Sequence, residues 1–243
     1  MDQATQNASR TAALDFARGI AEAWDRHLGE RLIGVYLIGS LAHDGFSAYY
    51  SDIDVALIAE DPLTTQDLAQ MFGSAAVLSA TLAPKLSLFW TDRNFSAGRF
   101  PPLDRVDLID HGTPLIEREY VRPPRPPLGQ IRAYLAAAPL QNWSLQVEKL
   151  SALTELMSGN RKAYLRALLY PARFAYSWTT GAMASNDDAV AWLRPHAPAG
   201  LDVDLAEQAL RCRNEALDPD HLFPERSKLI RQRDACLRLT ATR

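Results

Sequence analysis

Cysteine is scarce in this chain, and it has no long hydrophobic runs. The 243 residues include two cysteines, Cys212 and Cys236, which excludes a disulfide-rich scaffold. Neither has a histidine or second cysteine at the spacing of a zinc site, so we expect reduced thiols that pack in the interior. No apolar run approaches the length of a membrane span, and the first residues, MDQATQNASR, lack the cationic-then-apolar pattern of a signal peptide. These absences predict a cytoplasmic protein without a membrane partner.

A large excess of charge of either sign is missing as well. The sequence holds 26 basic and 29 acidic residues, for a formal net charge of −3. This balance lacks the strong positive charge that is typical of general nucleic-acid binders. With 47% hydrophobic and 23% charged residues, the composition excludes intrinsic disorder and predicts a globular protein of one large domain or two modest ones.

The first half of the sequence alternates helical and strand-like patterns. Between Leu14 and Leu28, apolar residues at spacings of three and four predict an amphipathic helix that ends at Gly29. Short apolar runs rich in β-forming residues predict buried strands, with helical periodicity between them. The predicted strands are 32–39, 51–59, 85–90 and 114–117, and the predicted helices are 63–82 and 100–112.

A proline-rich segment at 122–127, RPPRPP, divides the sequence. Its prolines favour extended backbone and remove hydrogen-bond donors, so neither a helix nor a strand interior continues there. We therefore predict an α+β fold, with a small mixed-sheet domain at 1–121, a linker at 122–127 and an all-α helical bundle at 128–243. The bundle segments with helical periodicity are 128–138, 142–158, 160–181, 186–194, 201–216 and 225–240.

The residues with the clearest chemistry lie between the first two predicted strands. A Gly39-Ser40 turn after a strand lets backbone amides and a hydroxyl approach phosphate oxygens, and a following helix N-terminus adds attraction. Asp52 and Asp54 alternate with Ile53 at the start of the next strand, so both carboxylates project from one face. Adjacent carboxylates repel unless a cation lies between them, and Mg²⁺ commonly bridges such oxygens to substrate phosphates. The pattern predicts binding of a metal–nucleoside triphosphate.

The segment 39–58, GSLAHDGFSAYYSDIDVALI, resembles the signature of the nucleotidyltransferase superfamily that includes DNA polymerase β. The wider chain resembles the two-domain streptomycin and spectinomycin adenylyltransferases, whose helical domain has a helix similar to ARFAYSWTTG at 172–181. The resemblance implies a nucleotidyltransferase domain followed by a helical domain. It also implies transfer of a nucleotidyl group, usually AMP from ATP, to a hydroxyl of a small-molecule acceptor.

The same resemblance implies roles for individual residues. Ser40 and Ser51 would contact the triphosphate, with Gly39 forming the turn, and Asp52 and Asp54 would bind the Mg²⁺.

A third carboxylate, which relatives carry on the next strand, is missing from its expected place. The predicted strand 85–90, KLSLFW, contains no acidic residue, and Ser87 occupies roughly that position. A serine cannot act as a base near neutral pH without its own activator. Asp92, just past the predicted strand, is our candidate for the replacement catalytic residue. Asp104 and Asp107, on the following helix, are the alternatives.

The helical half departs from the relatives in two places. The segment 182–186, AMASN, lacks the lysine that relatives often place there to reach the nucleotide. The segment 160–166, NRKAYLR, is basic where relatives carry the acidic residues that hold an aminoglycoside, and it would repel a polycationic acceptor. A neutral or anionic antibiotic-like acceptor therefore fits better.

Two other interpretations stay open. The missing carboxylate and lysine also fit a catalytically degenerate protein that binds nucleotide or a partner without transfer. A nucleotidyltransferase that modifies a protein or RNA partner is the other alternative, although minimal enzymes of that kind are shorter. Among the remaining polar residues, we expect His43 and Asp44 to form an exposed loop pair, and His111 to be a favourable charge at a helix C-terminus.

Overall fold

The computed structural model describes residues 3–241. The chain divides into two compact units after Arg125, which lies inside the proline-rich segment 122–127. Within the described residues, no helix combines the length and the apolar character that crossing a bilayer requires.

The N-terminal unit is built on a mixed five-stranded sheet. Strand β1 pairs antiparallel with both β2 and β5, β2 pairs parallel with β3, and β3 pairs antiparallel with β4. The order across the sheet is β4-β3-β2-β1-β5. The strands are β1 Leu32–Ile38, β2 Ile53–Ala59, β3 Leu86–Asp92, β4 Gly98–Arg99 and β5 Thr113–Glu117.

Helices cover both faces of this sheet. On one face, Trp24 and Ile20 of the long first helix are fully buried and share a core with Val35 and Val55. On the other face, Leu108 of the fourth helix packs with Tyr36 and its neighbours. Because β1 and β2 are buried on both sides, their sequences are nearly continuous apolar runs. The helices of this unit are α1 Gln3–Leu28, α2 Gly39–Ala42, α3 Thr65–Leu78 and α4 Pro102–His111.

The C-terminal unit is entirely helical, and one helix, Arg161–Thr180, forms its centre. That helix buries Leu168 and Phe174, and the backbone carbonyl of Ala167 accepts a hydrogen bond of 3.1 Å from the buried indole of Trp143. Every other α-helix of the unit contacts it. The helices are α5 Leu128–Ala136, α6 Ala138–Ser151, α7 Arg161–Thr180, α8 Asn186–His196, α9 Val203–Asn214 and α10 Lys228–Ala241. The predicted fold, a mixed-sheet domain followed by an all-α bundle, is confirmed.

Several local features differ from the predictions; the helices predicted over 63–82 and 225–240, for example, are observed as Thr65–Leu78 and Lys228–Ala241. The helix predicted over 142–158 begins earlier and ends at Ser151, where the amide of Leu153 bonds to the carbonyl of Leu150 in a tighter turn. The two-residue strand β4 was not predicted, because so short a segment carries no periodicity. The third strand runs to Asp92 rather than stopping at Trp90, so Asp92 belongs to the strand. Both cysteines are free and buried.

Candidate functional site

A sharp turn at Gly39 joins β1 to α2. Gly39 has a φ of +66°, in the left-handed region that other residues adopt only with strain. A Cβ at this position would lie 2.3 Å from Oδ2 of Asp54, so the glycine also lets the carboxylate pack against the turn. The contact follows from the sheet register, in which Asp54 pairs with Ile38, the residue before the turn. Gly39 and Asp54, predicted to share a site, lie in direct contact.

Asp52 and Asp54 flank the fully buried Ile53 at the start of β2. Asp52 precedes the strand, and because side chains alternate along a strand, Asp54 lies on the face opposite Ile53. Further along β2, Ile58 lies on the same face as Asp54 and belongs to the core cluster that includes Leu108 of α4. Asp54 therefore lies on the face of the sheet that α4 covers, and Asp52 lies two residues before it.

Helix α4 contributes a third carboxylate next to the turn. Oδ2 of Asp107 accepts a hydrogen bond of 2.7 Å from the amide of Gly39, and Oδ1 lies 2.5 Å from Nε2 of His43. The ring of His111, at the end of α4, lies 4.2 Å from the ring of His43. Asp107, Gly39 and Asp54 thus form a continuous set of contacts, with the two histidines beside Asp107.

The expectation that His43 and Asp44 form an exposed pair is wrong for His43. Its side chain is only 6% exposed because it lies against Asp107, whereas the Asp44 side chain is 84% exposed and forms an ion pair with Arg10. His111 is exposed at the last position of α4, as expected, and its contact with His43 was not predicted. Sequence reasoning had named Asp107 only as an alternative, and nothing in the sequence linked it to a residue 64 positions away.

The two predicted serines have different surroundings. Ser40 is the second residue of α2 and is partly exposed. Ser51 is buried, and its Oγ accepts a hydrogen bond of 2.9 Å from the amide of Ser47, which closes the loop before Asp52. Nζ of Lys85 donates to the carbonyl of Ala48 in the same loop, at 2.6 Å. Ser51 therefore has a structural part in holding Asp52 at the start of β2.

Asp92 lies at the opposite end of the sheet from Asp54. In the parallel β2–β3 register, Asp54 is opposite Ser87 and Asp92 is opposite Ala59. Five residues separate Ser87 from Asp92, which corresponds to roughly 17 Å along an extended strand. The structure brings Gly39, Asp52 and Asp54 together and leaves Asp92 outside this group.

The Asp92 carboxylate is occupied in holding the loop between β3 and β4. It accepts hydrogen bonds from the amides of Ser96 and Ala97, at 2.7 and 2.9 Å, and from the Ser96 hydroxyl at 2.7 Å. Burial opposes ionisation of this group, but the hydrogen bonds from Ala97 and Ser96 outweigh that effect and lower the pKa of Asp92. This pattern of contacts explains why an aspartate ends β3.

In the helical unit, the basic segment 160–166 carries less free charge than its sequence indicates. Arg161 forms ion pairs with Asp218 and Asp220, at 2.6 and 2.5 Å. These carboxylates come from a distant part of the chain, so the sequence pattern overstated the repulsion that a cationic ligand would meet there.

In the loop after α7, Gly181 has a φ of +71°, and the side chain of Ser185 caps α8 by accepting from the amide of Asp188.

No family model and no curated protein matches this chain. Among solved structures, spectinomycin adenyltransferase AAD(9) from Enterococcus faecialis, crystallised with ATP and spectinomycin, is similar with a TM-score of 0.70. The match covers 92% of this chain and 99% of that chain, at 12% sequence identity.

Two toxin-antitoxin structures are similar over a smaller part. A mutant of the toxin-antitoxin MntA-HpeT matches with a TM-score of 0.31 at 20% identity, covering 42% of this chain and 74% of that chain. A toxin-antitoxin with AMP-PNP matches with a TM-score of 0.31 at 18% identity, covering 54% and 91%. At 12% identity the similarity to AAD(9) concerns the fold alone, and the chain shares the fold of that adenyltransferase over most of its length, as the sequence resemblance predicted.

Proposed function

We propose that this protein is a Mg²⁺-dependent nucleotidyltransferase that moves AMP from ATP to a hydroxyl of a small molecule. One observation carries the proposal: the Asp54 carboxylate packs directly on Gly39 of the strand-to-helix turn, with Asp52 two residues away. A turn suited to binding phosphate and a pair of carboxylates thus lie next to each other. Support for the nucleotide and for the kind of acceptor comes from AAD(9), whose structure holds ATP and spectinomycin.

The donor set at this point fits Mg²⁺. Asp52 and Asp54 offer hard carboxylate oxygens, which Mg²⁺ prefers, and no imidazole or thiolate comes from the same strand. We infer that these two residues hold the ion. When bound, Mg²⁺ neutralises charge on the triphosphate and polarises the phosphorus under attack.

The protein's own residues would position the triphosphate. The amide of Gly39 is engaged by Asp107, so this carboxylate fixes the turn, and we assign Ser40 as the hydroxyl donor to a phosphate oxygen. Ser51 would act indirectly, by closing the loop that presents Asp52. In the reaction, the acceptor oxygen bonds to the α-phosphorus, the bond from that phosphorus to the β-phosphate oxygen breaks, and pyrophosphate leaves. The acceptor's proton passes to a base or to solvent.

Binding of Mg²⁺-ATP to the purified chain tests this proposal. Calorimetry should show binding that needs Mg²⁺ and is lost in the double variant Asp52→Asn, Asp54→Asn. Asp15→Asn, an equivalent substitution at an exposed position of α1, should bind like the wild type. Pyrophosphate release is then measured with a panel of hydroxylated antibiotics, spectinomycin included. Equal Mg²⁺-ATP binding by wild type and double variant would contradict the assignment of the two aspartates.

A second candidate is nucleotide binding without transfer. It is favoured by Ser87, which lies directly opposite Asp54 on β3 where a carboxylate is expected. The two functions separate in the same experiment. A transferase releases pyrophosphate with at least one acceptor, whereas a non-catalytic protein binds Mg²⁺-ATP with the same dependence on Asp52 and Asp54 but releases none.

A further inference from the structure

We propose that His43, Asp107 and His111 form a second metal site, for a divalent transition metal of the zinc class. Each residue offers one ligand atom, and these atoms all lie within 4.8 Å of one another. The ligands are different residues from Asp52 and Asp54, so this site does not depend on the function proposed above.

The three side chains converge because of where their backbones are fixed. Asp107 and His111 are four residues apart on α4 and therefore lie on one face of that helix. His43 follows α2 directly, and its amide donates to the carbonyl of Gly39 at 3.1 Å. Two elements that both adjoin the Gly39 turn thus supply the three ligands.

The buried part of the site is already oriented. The side chains of Asp107 and His43 are 2% and 6% exposed. Oδ2 of Asp107 is held by the Gly39 amide at 2.7 Å, which leaves Oδ1 directed at Nε2 of His43. A hydrogen bond of this kind to the non-ligating oxygen is the usual outer-sphere support of a metal-bound carboxylate.

The donor chemistry selects the class of metal. Two imidazole nitrogens and one carboxylate oxygen suit Zn²⁺, Co²⁺ or Fe²⁺, whereas Mg²⁺ takes oxygen ligands almost exclusively. Three protein ligands leave one tetrahedral position open for water or another ligand, as in catalytic zinc sites.

Only a small adjustment separates the observed positions from a coordinated one. Tetrahedral bonds of about 2.0–2.1 Å place ligand atoms roughly 3.4 Å apart, so the widest pair must close by up to about 1.4 Å. His111 is the exposed member of the group and can move by rotation of its side chain. The distance between Nε2 of His43 and Oδ1 of Asp107, 2.5 Å, must widen by about 0.9 Å as the ion enters between the two groups.

Metal titration of tag-free protein tests the site. Calorimetry with Zn²⁺, and the visible absorption of added Co²⁺, should show one equivalent bound. Because His111 is exposed at the end of α4, His111→Gln should fold normally, and it should weaken binding at least about tenfold. His43→Gln should do the same. The matched control is His196→Gln, which changes an exposed histidine of α8 and should leave the affinity unchanged.

Two further variants separate this site from others in the chain. The double variant Asp52→Asn, Asp54→Asn should keep its Zn²⁺ affinity. His221→Gln should also keep it; this histidine lies 3.9 Å from the thiol of Cys212 and is the competing location for a soft metal. Circular dichroism establishes that each variant is folded. Two results would overturn the proposal. The folded wild type could fail to bind one equivalent of Zn²⁺ or Co²⁺, or tight binding could survive both His43→Gln and His111→Gln. In either case the contact between His43 and Asp107 would be a hydrogen bond without a metal site.

Discussion

The two ends of the β2–β3 strand pair each carry an aspartate, and the two aspartates have opposite surroundings. At one end, Asp54 packs against a glycine turn and adjoins a second carboxylate, Asp52. At the other end, Asp92 is 3% exposed and accepts hydrogen bonds from two backbone amides and a hydroxyl. Backbone amides and a hydroxyl stabilise the ionised form of Asp92, whereas Asp54 lies beside a turn and close in sequence to a second carboxylate. A carboxylate at a strand end is therefore interpretable only with its neighbours.

The substitution Gly39→Ala should have the largest effect, because it disturbs the contact between Asp54 and the turn. The new Cβ would meet Asp54 Oδ2 at 2.3 Å and would force a non-glycine residue into a φ of +66°. We expect a loss of about 2–4 kcal/mol in the free energy of unfolding, and loss of Mg²⁺-ATP binding at temperatures where the protein stays folded. Urea unfolding and calorimetry measure the two effects.

The matched control for this substitution is Gly73→Ala. Gly73 lies inside α3, and apart from its chain neighbours and the adjacent backbone of the helix, no atom of the described residues comes within 4 Å of a Cβ built there. Alanine should therefore stabilise the protein by up to about 1 kcal/mol, because its backbone loses less conformational entropy than that of glycine when the helix forms. If both substitutions had the same effect on Mg²⁺-ATP binding, the close approach at Gly39 would have no functional meaning.

Removing the other carboxylate should affect stability rather than binding. Asp92→Ala removes the buried carboxylate that accepts from the amides of Ser96 and Ala97, in a loop whose own residues are partly exposed. We expect the free energy of unfolding to fall by about 2–3 kcal/mol, with the Mg²⁺-ATP affinity of the folded protein unchanged. Urea unfolding beside Asp15→Ala, a change on the exposed face of α1, measures the difference. If folded Asp92→Ala lost affinity for Mg²⁺-ATP, Asp92 would again be a candidate site residue.

The fold was predictable because its signals are local. The apolar runs of β1 and β2 come from burial on both faces, and the prolines at 122–127 mark the segment in which the two units separate. The Gly39 turn was also predictable, since glycine tolerates the positive φ, and so was the position of Asp54 at the start of the second strand.

The parts that were missed depend on distant contacts. The pairing of His43 with Asp107 joins residues 64 positions apart, and no periodicity links them. The neutralisation of Arg161 by Asp218 and Asp220 is equally remote in sequence. For Asp92, the parallel pairing of β2 with β3 decides its position, because Asp54 lies opposite Ser87 near the start of β3 and Asp92 lies opposite Ala59 at its end.

The smallest expected effect is on acid unfolding, where the ionisation of Asp92 should change the free energy of unfolding. Hydrogen bonds from Ala97 and Ser96 outweigh burial and lower the pKa of this group in the folded protein. Its ionised form therefore contributes stability that is fully present above the pKa of an unfolded aspartate, about 3.9, and is lost as the pH falls through the lower folded value. Wild type should be more stable than Asp92→Asn near pH 7, and the difference should shrink at pH values below about 4.

Ser96→Ala removes the hydroxyl donor at 2.7 Å but keeps the carboxylate, so its stability should still depend on pH in this acid range. A difference between wild type and Asp92→Asn that is constant from pH 7 to about pH 2 would show that the ionised form of Asp92 is not what holds the loop.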